Sequence, residues 1–580
     1  MSSYADVYDD FNLYTTPEKF YIQPKLGSKY LVVDRISEGL SLQSNLNEIP
    51  AVTSYREFCG FLGTISLLAG KYLILATERK YVGNIADHMI WCLAGTECIP
   101  YNRSTLHLNA KELDDNNSYL EMVKQALDAP YFYFSYTYDL SHSMQRLYGT
   151  GPDFLNQSLL ERADARFIWN SNLFQDFGPE LHKFCLPLLH GFVDINEFLL
   201  NGYSFTWSIV SRRSVFRAGT RLFRRGIDKN GNVANFVETE QIIECQGDRA
   251  SFVQIRGSIP LYWNQFPNLR YKPPPLLLDV GDQEQQAACG RHFDALYLLY
   301  GRQVLLDLVD QNGSEGKLQK CYSNVVQQLN NPSIRYEPFD FHAECRHMKW
   351  ERLNILMDRI ALDQDEMGFF FLLRDGSVVG SQDGVFRTNC IDCLDRTNVV
   401  QSLLARRCLN NMLRKMSIIE PEDRIENYSF IEQTFKNVWA DHADLISMQY
   451  SGTGALKTDF TRSGKRTRLG LVRDGVNSLV RYYKNNFRDG HRQDSLDLLL
   501  GVADIHSSLE IEHGWRYVTF PFVFLIAFVM FVACAVLPSE YSTDSLTFML
   551  FWGIMVVSIL LMILKYGFEF VDKPRLTFLQ

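Results

Sequence analysis

The chain has 580 residues, 46% hydrophobic and 22% charged, with a net charge of -9. That length is more than one core organises, so two or more domains are expected, and the negative balance excludes a general nucleic-acid binder. The 12 cysteines show no disulfide-scaffold spacing, which places the bulk in a reducing compartment, and the acidic start has no apolar run, hence no signal peptide.

Residues 1–180 read as a β-rich N-terminal domain. Residues 30–34, 60–70 and 71–77 are strands separated by glycine turns, with Glu78-Arg79-Lys80 as the charged end of a hairpin. Residues 119–127 read as a helix and 131–138 as an aromatic strand, its rings core rather than a cofactor site. No catalytic constellation occurs here. Residues 181–500 read as a second domain, of different texture. Ser211-Arg-Arg-Ser-Val-Phe-Arg-Ala-Gly-Thr-Arg221 is basic and strand-like. Arginines on strands ordinarily line a solvated face; the alternative is several arginines gathered at one phosphate site. Phe339-Asp-Phe-His342 is a further polar cluster, and its lone histidine reads as structural.

The chemistry concentrates in Arg387-Thr-Asn-Cys-Ile-Asp-Cys-Leu-Asp-Arg-Thr-Asn398. Val385 and Phe386 precede it as a strand. Val399, Val400, Leu403, Leu404, Cys408 and Leu409 follow at helical spacing. Cys390 therefore lies in a loop between a strand and a helix N-terminus, where unpaired N–H groups make an anion cradle and favour a thiolate. Arg396 can fork onto two phosphate oxygens, and Thr397 can donate a hydroxyl hydrogen bond to the sulfur. This set suits thiolate attack on phosphorus followed by hydrolysis. Cys390 and Cys393 also form a C-x-x-C, open to a thioredoxin-like redox pair or to half a zinc site, although no second C-x-x-C exists in the chain. Asp392 and Asp395 disfavour a redox thiolate. They make sense if Arg396 pairs with one and the other is held protonated as an acid.

Between Ser451 and Arg492 ten Lys/Arg stand against three Asp/Glu, a basic patch that suits anionic headgroups, with Lys457, Lys465 and Arg466 assigned to substrate binding. Gly452-Thr-Gly-Ala-Leu-Lys-Thr-Asp is no Walker A loop, so no ATP is expected. After a linker at 501–516, residues 517–537 and 546–565 are apolar runs long enough to span a bilayer, joined by a short acidic connector at 538–545 and followed by a tail at 566–580. Arg516 on one flank and Lys565, Lys573 and Arg575 on the other put both flanks in the cytosol by the positive-inside rule.

The loop Arg387 to Val399 resembles the signature of the Sac-domain (suppressor of actin) phosphoinositide phosphatases. So do Trp169-Asn, Arg212-Arg-Ser, Asn235-Phe-Val-Glu-Thr-Glu-Gln, Arg256-Gly-Ser-Ile-Pro and Gly452-Thr-Gly-Ala-Leu-Lys-Thr-Asp. The double anchor resembles the integral-membrane branch of the endoplasmic reticulum and Golgi. The resemblance implies an α/β fold: a cysteine-dependent phosphatase-type catalytic domain, a β-rich N-terminal domain and a C-terminal two-helix transmembrane hairpin. It implies hydrolysis of phosphatidylinositol monophosphates, mainly the 4-phosphate, on the cytosolic leaflet, with no metal and no cofactor. Cys390 would be the nucleophile, Arg396 the phosphate clamp and Thr397 the stabiliser of the leaving thiolate. The backbone from Ile391 through Cys393 and Leu394 to Arg396 would cradle the phosphate. Asp392 is the first choice for general acid, with Asp395 as an internal salt-bridge partner. The expected partners are the lipid, the membrane, and contact-site or trafficking proteins. A lipid-binding scaffold with little turnover is the alternative. The tail lacks a terminal dilysine signal of the kind some members carry, so endoplasmic reticulum and Golgi stay open.

Overall fold

The computed structural model describes residues 7–44, 49, 52–346, 349–505, 509, 514–537 and 543–577. Part of the expected linker (506–508, 510–513) and most of the connector (538–542) therefore lie outside the described residues.

The N-terminal strands form two sheets. Five short strands between Phe11 and Phe58 make an antiparallel sheet in the order Leu40–Ser44, Lys29–Asp34, Lys19–Pro24, Phe11–Thr15, Ser54–Phe58. Its inward residues, among them Phe11, Leu13, Phe20 and Ile22, pack on Phe61, Leu73 and Leu75 of the second sheet. This is the alternation expected of a sheet with one buried face.

The second sheet has 13 strands among the described residues. It does not break near residue 180: Phe132–Phe134 pairs with Leu189–Leu200 through Tyr133↔Leu189. The expected division into 1–180 and 181–500 thus does not fall between two separate sheets. Cutting there would expose two rows of unpaired N–H and C=O groups. The Gly70–Ile85 strand also runs past the expected hairpin end at Glu78–Lys80 to a turn at Ala86-Asp87, both at positive φ. The helix expected at 119–127 extends over Ala110–Leu127, and the aromatic strand shrinks to Phe132–Phe134.

Towards its far edge the sheet becomes parallel. Val385–Asn389 lies between Asp248–Arg256 and Gln303–Asp307, and the latter pairs with Ile334–Pro338. Parallel strands are covered on both faces, so they read as unbroken apolar runs; Val304, Leu305 and Leu306 are fully buried. Helices Asp282–Tyr300 and Gly313–Leu329 cover one face, while Leu353–Met367, Asp395–Lys415 and Ser429–Ser451 cover the other. The carboxyl ends of the parallel strands converge on one edge, the usual place for a site in such sheets.

The arginines at 212 and 213 do not line a solvated face. The Tyr203–Arg213 strand is central, and the chain around Leu140–His142 lies over it. Arg212 is buried between Glu238 (2.8 Å) and Glu240 (2.7 Å) and also donates to two carbonyls. Removing the cation would strand two buried carboxylates.

At the C-terminus, Trp515–Val536 and Thr543–Lys565 form two apolar helices, with Gly553 of one against the Phe531 ring of the other. Each is long and apolar enough to cross a membrane, and only 6% of each most apolar window is buried in the protein. The tail turns back onto the body. The N–H groups of Arg575 and Leu576 donate to Asp494 (2.9–3.1 Å), and Leu576 joins the core beside Leu496 and Leu499.

Arg212→Met is expected to cost about 3–5 kcal/mol, as for breaking a buried ion pair. The check is a lowered thermal midpoint of the full chain in detergent.

Candidate active site

The Val385–Asn389 strand delivers Cys390 to the sheet edge, and the Asp395–Lys415 helix starts five residues later. Asn389 is pinned from below, its side-chain amide donating to Asp307 (2.7 Å) on the neighbouring strand. Tyr336 holds the other Asp307 oxygen at 2.6 Å. Burial pushes the Asp307 carboxyl up to about 6 even though Tyr336 and Asn389 donate to it. Cys393 adopts a left-handed conformation (φ 52), which costs a non-glycine residue about 1 kcal/mol. That conformation aims the Cys393 N–H at Cys390 Sγ (3.1 Å).

Cys390 Sγ also accepts from the Thr397 hydroxyl at 3.5 Å. Burial alone would push this thiol up. The hydrogen bonds from Cys393 and Thr397 and the charge of Arg396 outweigh it and hold the thiol well below its ordinary value. Cys393 is the opposite case. Burial and its neighbour Cys390 push its thiol well up, and it donates to the Gly257 carbonyl at 2.9 Å. Arg256 lies beneath the loop, fully buried, donating to Asn398 Oδ1 (3.2 Å) and reaching the Cys393 carbonyl (3.5 Å). It meets no carboxylate among the described residues. Burial pushes its guanidinium down to about 10, opposed by Cys393 and Cys390.

The two loop carboxylates have different surroundings. Asp392 is gripped by Arg221 (2.9 Å to each oxygen) and by Arg225 (2.6 Å). Burial raises its carboxyl, but the two arginines overcome this and hold it well below the usual carboxylate range. Asp392 therefore has no proton to give at neutral pH, which tells against it as the first choice of general acid. Asp395 forms no salt bridge among the described residues; its Oδ1 accepts the Leu456 N–H at 3.1 Å. Burial raises it to about 6, with Arg481 and the Leu456 N–H opposing. A carboxyl poised there suits an acid that later serves as base.

Arg396 pairs with neither loop carboxylate. It donates to Asp310 (3.1 Å), Glu315 (3.3 Å) and the Leu308 carbonyl (3.1 Å), all on the segment after the Gln303–Asp307 strand. The expected Arg396 pairing inside the loop is corrected accordingly. The strand order sets this, because the parallel neighbour places its own carboxyl-end loop beside that of Val385–Asn389.

Of the other expected binding residues, the Ile391 carbonyl accepts from Arg225 at 2.9 Å. Leu394 is buried against Val237, Ile446 and Tyr450. Lys457 and Lys465 are exposed, and Arg466 is committed to Asp459 and Asp474. Arg221, Arg225, Arg256, Arg481, Asp310 and Glu315 had no individual signal. The arginine-rich run from Ser211, in its reading as arginines gathered at a phosphate site, and the family-like block that begins at Arg256 were the hints. His342 faces Asp310 at 2.7 Å on the surface.

A family profile described as the SacI homology domain matches residues 59–346, which includes Arg221, Arg225 and Arg256 and stops before the cysteine loop. Similarity to whole proteins covers the loop as well. The phosphatidylinositol-3-phosphatase SAC1 of Drosophila melanogaster is 51% identical over 582 residues, covering 98% of this chain and 97% of that protein. The protein of the same name from Saccharomyces cerevisiae is 37% identical, covering 91% and 87%. Phosphoinositide phosphatase SAC7 of Arabidopsis thaliana is 35% identical, covering 97% of each. The chain belongs to the Sac-domain phosphoinositide phosphatase family. Within that family frame the cysteine loop and its arginines occupy the carboxyl edge of the sheet, and the two helices able to cross a membrane follow the catalytic domain.

An acid near 6 must be protonated to act, so kcat/KM is expected to fall as pH rises through about 6. Asp395→Asn should lower activity and abolish that limb, whereas Asp392→Asn should keep it. Rate profiles from pH 4.5 to 8.5 check this; an unchanged limb in Asp395→Asn removes Asp395 from the role.

Proposed function

We propose that this chain hydrolyses phosphatidylinositol monophosphates, the 4-phosphate foremost, through a phosphocysteine intermediate. Cys390 supports this reading most directly: a buried sulfur accepting two hydrogen bonds and held as thiolate, with Arg396 and Asp395 beside it. Relatives named phosphatidylinositol-3-phosphatase and phosphoinositide phosphatase support the lipid class.

In the first step Cys390 Sγ attacks phosphorus as the bond to the inositol oxygen breaks. The proton on Asp395 passes to that oxygen. In the second step Asp395 takes a proton from water, whose oxygen attacks phosphorus and expels the thiolate. The Cys393 N–H and the Thr397 hydroxyl, already on the sulfur, stabilise it at departure. A bound phosphate competes with Asp310 and Glu315 for Arg396, whose fork suits two phosphate oxygens. Arg221 and Arg225 stay with Asp392 and keep the loop closed beneath the substrate.

The body and both flanks of the hairpin lie on the cytosolic side of an endoplasmic reticulum or Golgi membrane in this reading. The hydrogen bonds that join the tail of Lys573 and Arg575 to the body support positive flanks on the body's side.

The test is phosphate release by the full chain from vesicles of each phosphatidylinositol monophosphate, with a metal chelator present. Release from the 4-phosphate, and a drop of about a thousandfold or more in Cys390→Ser, are expected. Turnover surviving in Cys390→Ser would sink the mechanism; faster release from the 3-phosphate would reverse the preference.

A further inference from the structure

One helix is built inside out. Along Arg468–Phe487 the residues facing the body are polar: Asp474, Asn477, Ser478, Arg481 and Asn485 are buried or half-buried. The apolar residues face outward. Leu469 is 79% exposed, Val472 63%, Val476 53%, Leu479 71% and Tyr483 54%. At helical spacing these fall within an arc of roughly 100°, the width of a stripe that normally faces a core. Arg468 and Arg473, both exposed, border the arc on either side. An apolar stripe with basic flanks and a separate polar face is the composition of a helix that lies in a bilayer interface.

The place of the helix says which bilayer. Its C-terminal turn is joined to the mouth of the hairpin. The Asn486 carbonyl accepts from the Asp572 N–H (2.7 Å), and the Asn486 side chain accepts from the Leu269 N–H (3.1 Å). The Tyr482 hydroxyl donates to the Leu269 carbonyl at 2.8 Å. One residue earlier, the Asn268 carbonyl lies so close to Gly567 that an added Cβ would meet it at 2.1 Å, and Phe266 meets the Phe568 ring at 5.5 Å. Arg516, in the first apolar helix, pairs at 2.6 Å with Glu569, in the turn that follows the second. The apolar face is thus continuous with the exit of the membrane-spanning pair.

The polar face reaches the catalytic loop. Arg481 donates to Thr453 Oγ1 (2.9 Å) and to the Gly454 carbonyl (2.8 Å), and Asp474 accepts the Lys457 N–H at 3.1 Å. Between them Leu456 donates its N–H to Asp395. The helix therefore holds the segment that touches the carboxyl assigned as acid.

We propose that the Arg468–Phe487 helix inserts its apolar face into the phospholipid bilayer that the hairpin crosses. It would thereby position the 453–457 segment and Asp395 over a headgroup in that same leaflet. The activity half of this proposal rests on the lipid-phosphatase reading; the insertion half does not.

Two arms test it with the full chain reconstituted in phospholipid vesicles. In the first, Val472→Asp/Leu479→Asp, both at exposed positions outside the catalytic machinery, is compared with wild type. A tenfold or greater loss on phosphoinositide in the bilayer is expected, with water-soluble short-chain substrate turned over within twofold of wild type. Equal rates on the bilayer substrate, or equal losses on both substrates, would overturn the positioning role. In the second arm, Leu479→Trp is placed in vesicles of brominated phospholipid. Quenching of the introduced tryptophan beyond the wild-type background is expected. No added quenching means the face meets water or a protein and overturns insertion. If wild type hydrolyses neither substrate, the phosphatase reading fails while the quenching arm still judges the helix.

Discussion

A buried sulfur whose thiol is held well below its ordinary value is the constraint from which the rest of the site follows. Burial by itself would protonate Cys390. The molecule opposes burial with short-range donors and nearby cations: the Cys393 N–H and the Thr397 hydroxyl on the sulfur, Arg396 at the helix start, and Arg256 beneath the loop. Each donor needs its own support. Cys393 takes a left-handed backbone to present its N–H, and the Gly257 carbonyl holds its thiol. Arg256 meets no carboxylate among the described residues, and it reaches the loop at the Cys393 carbonyl.

The same logic separates the two loop carboxylates. Both are buried, yet Asp392 receives two guanidinium groups while Asp395 receives one backbone N–H and a more distant arginine. Two arginines over-compensate burial; one N–H does not. Chemically identical side chains three residues apart are thereby given a fixed charge in one case and a proton available near neutral pH in the other.

Membrane attachment is part of the catalytic body rather than an appendage. The tail after the second apolar helix is hydrogen-bonded to Asp494 and packed into the core with Leu576. The Arg468–Phe487 helix, the 266–269 turn and the tail meet at one level, the level at which the apolar pair leaves the body.

Local spacing and composition were enough for the strand–loop–helix around Cys390 and for the two apolar helices, because each depends on residues close in sequence. A strand before and a helical pattern after mark the turn that carries Cys390, and two apolar runs of spanning length mark helices able to cross a membrane. The partners of that loop depended on the tertiary structure. Arg221 and Arg225 reach Asp392 across about 170 residues of chain, and Asp310 and Glu315 reach Arg396 across more than 80. Strand order alone brings them there, so no local pattern could assign Asp392 its charge or Asp395 its proton. The continuity of the large sheet across residue 180 and the outward apolar face of the Arg468–Phe487 helix are of the same kind. Periodicity marks an amphipathic stripe, but only packing decides which side of it faces the protein.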